Sequence, residues 1–205
     1  MKTVQPRINE IVNFLVKNDK AQLDALKHKY PQYTQFLESG IILDDTGDIK
    51  EDELKFRLIV SEQGLNSLFI KGKRLLSALR NKIKRLDTVQ LVSQIIVVIS
   101  GATILSTLAA NFDNSIILNY LPPSLVLIGA LLTLYIKSRS ESFLFNNENL
   151  YELYSKLISL NIEAKLLLTE LEIVKKYFTI DNAKQNIEKA NGLIKELSII
   201  ENKLR

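Results

Sequence analysis

Apolar residues are distributed in three different ways along this chain. The middle holds two uncharged runs, 25 residues from Thr88 to Phe112 and 23 from Asn114 to Ile136, separated by Asp113. A helix of roughly 20 residues crosses a ~30 Å hydrocarbon layer, so each run is long enough for one membrane span. The last third is heptad-spaced. Leu150, Leu157, Ala164, Leu171 and Phe178 stand seven apart, and Leu153, Leu160, Leu167 and Val174 repeat the interval with an offset of three. Four heptads of this a/d pattern predict a coiled-coil seam between subunits. Tyr154, Ile158, Ile162, Leu166 and Ile173 add a second apolar line, which widens the face to that of a bundle within or between subunits. After Thr179-Ile180-Asp181-Asn182, a break with a capping residue, Ile187, Ala190, Ile194, Leu197 and Leu204 mark a final helix. The tail therefore predicts a helical hairpin.

The first seventy residues mix periods. Ile8, Ile11, Val12 and Leu15 predict one amphipathic helix, Leu23 and Leu26 a second, and Pro31 opens a third running to Glu38. Ile41-Ile42-Leu43 looks extended, 44–48 carries turn residues, and Phe56 to Val60 returns as a strand, with Ser61 capping the next helix. Three helices, a two-stranded wing and a helix resemble a winged helix-turn-helix, most closely over RLIVSEQGLNSL.

Charge placement sets the expected orientation. The net charge is only +4, but Lys71, Lys73, Arg74, Arg80, Lys82, Lys84 and Arg85 form a basic collar without an acid, and Lys137 and Arg139 follow the second run. Basic residues stay on the cytoplasmic side, so both termini are expected there, with a short external turn. Pro122-Pro123 removes two backbone donors, which predicts that the second span starts near Pro122. From there to Ile136 is only ~22 Å of helix. The expected fold is mainly α: a winged-helix-like domain at 1–70, a basic juxtamembrane helix at 71–87, a two-span transmembrane hairpin at 88–136 and a cytoplasmic helical oligomerisation tail at 137–205.

The collar suits anionic lipid, at ~1 kcal/mol per basic residue near the surface. It also suits a polyanion held by a ring of subunits. Lys29, Tyr30 and Tyr33 interleave cations with aromatics, as phosphate contact plus base stacking requires, or else belong to a protein-binding winged helix. In the first span Ser93, Ser100, Thr107 and Asn111 fall on one helical line, fit either to pack closely against another helix or to line a pore. Gln90 and Gln94 lie to one side.

Little points to an enzyme. There is no cysteine and a single histidine, His28, so no thiolate or multi-histidine metal site and no cysteine nucleophile is expected. Gly64 and Gly72-Lys73-Arg74 lack P-loop spacing, and Asp44-x-Thr46-x-Asp48 lacks the glycine and the twelfth-position glutamate of a calcium loop. No catalytic residue, cofactor or metal is predicted. Charged residues throughout the first twenty positions argue against a cleavable signal peptide.

A cytoplasmic sensor-like segment, a two-span hairpin and a helical tail resemble the SLATT family of two-span effectors over roughly residues 71–205. The winged-helix-like front end is similar to the effector of Hailong-type systems. The resemblance implies a bacterial inner-membrane pore acting in anti-phage defence, which depolarises the membrane and arrests growth. It further implies an oligonucleotide made by a partner nucleotidyltransferase, bound at the collar and the Tyr30/Tyr33 region and shutting the pore. A homo-oligomer is expected, a tetramer in the first instance, with anionic lipid as a further partner. Two rival readings stay open: a membrane-tethered winged-helix DNA-binding regulator, and a scaffold acting through the tail.

Overall fold

The computed structural model describes residues 6–38, 50–109, 116–142 and 150–204; the side chains of 105–109, 116–120 and 136–142 lie outside that description. Regular structure among the described residues is entirely helical: α1 Asn9–Asn18, α2 Lys20–Lys29, a 3₁₀ segment Pro31–Leu37, α3 Glu51–Ala109, α4 Ile116–Ser142, α5 Leu150–Lys176 and α6 Ile180–Leu204. The chain forms two compact units. One joins residues up to Leu76 with those from Ser155 onward, and the other is Ser77–Tyr154.

The first unit is built around the N-terminal part of α3. Glu51, Asp52 and Glu53 sit in its first turn, where negative charge suits the helix dipole. Leu54, Phe56, Arg57, Leu58, Val60, Ser61, Leu65, Ser67 and Leu68 are all buried, so this stretch is covered on nearly every side. That corrects the strand expected at Phe56–Val60 and the capping role expected of Ser61. A helix buried all round has apolar residues at consecutive positions, and over five residues that cannot be told from a buried strand. Ser61 lies inside the helix and its hydroxyl donates to the Arg57 carbonyl at 2.8 Å. With a helix where the return strand was expected, the wing loses that partner; Ile41–Leu43 and the 44–48 turn lie outside the described residues.

Polar contacts tie the outer helices to this centre. Asn191 of α6 accepts from the Glu10 and Ile11 amides at 3.1 and 3.3 Å, capping α1 from a distant element. Asp19 caps α2 through the Gln22 amide and takes a 2.6 Å bond from the Ser67 hydroxyl of α3. Arg57 donates to Glu53 at 2.6 Å and to the Pro6 carbonyl at 2.6 Å.

Within this unit α5 and α6 run antiparallel. Glu163 lies across from Glu196, Leu166 from Leu193 and Glu170 from Lys189, around a groove of about 380 Å³. Ala183, Ile187, Ala190, Ile194 and Leu197 are the buried line of α6. The seam expected to join subunits is spent inside the chain: Leu157, Leu160, Ala164, Leu167, Leu171 and Val174 are buried in this unit, and Leu150 and Leu153 in the other. Phe178 is half-buried beneath the Lys55 ammonium, 5.2 Å from its ring.

In the second unit the later part of α3 meets α4. The Ser93 hydroxyl donates to the Gly129 carbonyl at 2.9 Å and also bonds Thr133. A β-carbon on Gly129 would stand 2.6 Å from Val97 Cγ2, so only glycine allows this approach. Gly129→Leu is expected to cost about 1–3 kcal/mol, read as a lower thermal midpoint of the purified protein. The prolines require a second correction, because α4 begins at Ile116 and carries Pro122 and Pro123 inside it. Helix neighbours compensate internal prolines in apolar surroundings, and Pro122 is buried. Residues 116–136 then give about 32 Å of helix rather than ~22 Å.

Candidate functional site

The polarity of the α3–α4 pair is reversed relative to a soluble helix pair. Its outer surfaces carry Leu91, Val98 and Ile99 on α3 and Leu127, Leu131 and Leu134 on α4, all exposed. Its contact holds Ser93, Gly129 and Thr133, with Val97 and Ile96 alongside Gly129. Water would favour the opposite arrangement, whereas lipid tails give apolar side chains no reason to hide. Among the described residues one helix, α3, is long and apolar enough to cross a membrane by length and composition. Only 11% of its apolar stretch is buried, which is unlike the core helix of a soluble protein. The apolar stretch described in α4, Leu121–Tyr135, is shorter.

The hydroxyl line of the first span divides. Ser93 and Ser100 are buried within the chain. The register that pairs Ser93 with Gly129 brings Ser100 level with Pro122, so both serines lie on the side of α3 that meets α4. For Ser93, bonded to Gly129 and Thr133, that side is a packing contact. The side chain of Thr107 and all of Asn111 lie outside the described residues. Within the uncharged stretch of α3, Gln90 and Gln94 are exposed one turn apart, with Gly101 on the same line and empty space beside it. Helical periodicity exposes this amide pair in the sequence, but nothing local ranks it above the serines.

The collar divides as well. Lys71 Nζ donates to the buried Glu201 carboxylate at 2.7 Å and also bonds Asn18, so its charge is neutralised. Lys73 is exposed, with its ammonium 4.2 Å over the Phe69 ring, and Arg74 beside it is exposed. In the second unit Arg80, Lys84 and Arg85 are exposed and Lys82 is half-buried. Just beyond them the Tyr151 phenol donates to Asp87, and this bond, with burial, raises the phenol above its ordinary value.

The aromatic pair expected to stack on bases is half-buried and packs on a ring of its own chain. Tyr33 stacks on Phe56 with ring centroids 4.6 Å apart, and Tyr30 meets Phe56 edge-on at 5.3 Å. Lys29 is exposed, 5.5 Å from the Tyr30 ring centroid. These rings serve the packing of the 3₁₀ segment against α3. Searches of protein-family models, of curated proteins and of solved structures return no match to this chain.

Proposed function

We propose that this protein is a pore-forming membrane effector whose α3–α4 pair crosses the bilayer as a hairpin, with its helical unit and both termini in the cytoplasm. The reversed polarity of that pair carries the reading, because exposed leucines around a glycine-serine contact suit lipid as solvent. The Asp87–Tyr151 bond supports the hairpin, since it joins the residue before the first uncharged run to one after the second. Several copies surround a path walled by Gln90 and Gln94, amides that are costly against hydrocarbon and well served by water or by each other. Ser93 and Ser100 hold each hairpin together.

Arg80, Lys84 and Arg85 stand at the cytoplasmic mouth, where they meet anionic lipid or a polyanionic ligand. A nucleotidyltransferase-made oligonucleotide, as the SLATT and Hailong resemblance implies, fits that chemistry and would gate the pore by the difference in its affinity for the two states. The same resemblance assigns the pore to anti-phage defence.

Inducible expression with a membrane-potential dye tests the reading. Depolarisation is expected, and Gln90→Leu with Gln94→Leu is expected to abolish most of it while leaving membrane insertion intact. Unchanged potential at toxic expression, or release of the protein by alkaline carbonate, overturns the pore. Arg80→Glu, Lys84→Glu and Arg85→Glu together should reduce retention of short single strands on a filter at least tenfold.

A further inference from the structure

The helix α5 is apolar on two opposite faces, and the core uses only one of them. At 100° per residue Ile158, Ile162, Leu166, Thr169 and Ile173 fall within about 40° of one line, and Tyr177 lies 60° from it. That line points away from the buried Leu160–Ala164–Leu171 face. Ile162, Leu166 and Ile173 are 55%, 60% and 56% exposed. An open apolar stripe this long on a water-facing helix marks an interaction surface.

We propose that the stripe is the contact between copies of this chain, α5 against α5 in parallel. Its spacing is a heptad offset from the internal seam, with Leu166 and Ile173 at a and Ile162 and Thr169 at d. Lys165 then takes a g position, and Glu163 and Glu170 take e. In a parallel pair, g of one helix faces the following e of the other, so Lys165 meets Glu170 of its neighbour. An antiparallel pair sets e against e and brings Glu163 toward Glu170, like charges at close range.

The rest of the groove agrees with this choice. Leu166, Leu167, Gly192 and Leu193 form its apolar floor; on its rim Glu170 pairs with Lys189 at 3.5 Å, and Glu163 and Glu196 leave the rim acidic beyond that pair. Lys165 is exposed and makes no ion pair among the described residues, so the neighbour's Lys165 brings an apolar stem and a free ammonium to an acid-rimmed channel. The seam from Ile162 to Ile173 spans less than two heptads, and here the proposal rests on the membrane reading, because confinement to a bilayer raises the effective concentration of the copies.

The absence of cysteine makes the test direct. Leu166→Cys, Ile173→Cys and, as a control on the exposed side of α6, Gln185→Cys are expressed singly in the full chain and oxidised in native membranes with copper phenanthroline. Disulfide-linked dimers are expected at both α5 positions, at least fivefold above the control. Cross-linking at Leu166→Cys alone is the antiparallel outcome and overturns the parallel pairing; cross-linking at neither, or equally at the control, overturns the surface. Gel mobility reads the contact whether or not the membrane depolarises, so loss of conductance with intact dimers counts against the pore alone.

Discussion

Gly64→Val is expected to destabilise the helical unit by about 3 kcal/mol or more, a large fraction of the 5–15 kcal/mol that holds a domain folded. Gly64 lies where α1 and α6 converge on α3. A β-carbon there would stand 2.4 Å from Ile11 Cγ2 and 2.9 Å from Ile194 Cδ1. The first of these atoms belongs to a β-branched side chain that is fully buried and has little room to swing away. Even alanine, which gains ~1 kcal/mol in helix propensity over glycine, loses more than that to overpacking of ~1–3 kcal/mol. Gly192 gives the opposite sign. Nothing lies within 4 Å of a β-carbon placed there, so Gly192→Ala keeps the propensity gain and stabilises by up to ~1 kcal/mol. Denaturant titration of the full chain followed by circular dichroism measures both. Equal effects at the two positions would mean that Gly64 does not mark a close approach.

The α5 heptad is plain in the sequence because a buried face on a regular helix must repeat at the helical period. Periodicity identifies a face that needs covering and leaves the cover unnamed. Leu157, Leu160 and Leu171 find it inside their own chain, and the second line, Ile162, Leu166 and Ile173, is the one left open. The Phe56–Val60 stretch misleads for a related reason: it is buried on nearly every side, so its pattern loses the period that tells a helix from a strand. Pro122 and Pro123 follow the general cost of proline in helices, yet both lie inside α4, Pro122 buried and Pro123 exposed. The division of polar residues on α3 turns on a single register, Ser93 against Gly129, which a helical wheel of one span does not contain. The uncharged runs themselves are legible because lipid compatibility is a matter of composition and length.

Lys71 is where charge in the sequence misleads most about function, and Glu201 is why. The two are 130 positions apart, and no local pattern links them. In the fold Glu201 is 6% exposed, with Lys71 at 2.7 Å and Lys17 at 3.4 Å. Burial alone would raise its carboxyl, but bonding and charge from Lys71, then Lys17, outweigh that and hold it below its ordinary value of 4.5. A carboxyl depressed by folding stabilises the native state fully above that ordinary value, and the contribution fades as pH falls through the lower folded value. Glu201→Gln is therefore expected to cost roughly 2–3 kcal/mol at pH 7, below the ~3–5 kcal/mol of a fully buried pair because the Lys17 side chain is 40% exposed. The gap between wild type and variant should narrow as pH falls below 4.5. A gap that is the same at pH 7 and pH 3 would mean that the carboxylate charge does not hold α1, α3 and α6 together. Lys71→Glu sets two carboxylates against each other at the same place and should destabilise at least as strongly. Loss of polyanion binding in that variant would report a damaged fold rather than a missing contact, whereas Arg80, Lys84 and Arg85 are exposed and can be reversed without that ambiguity.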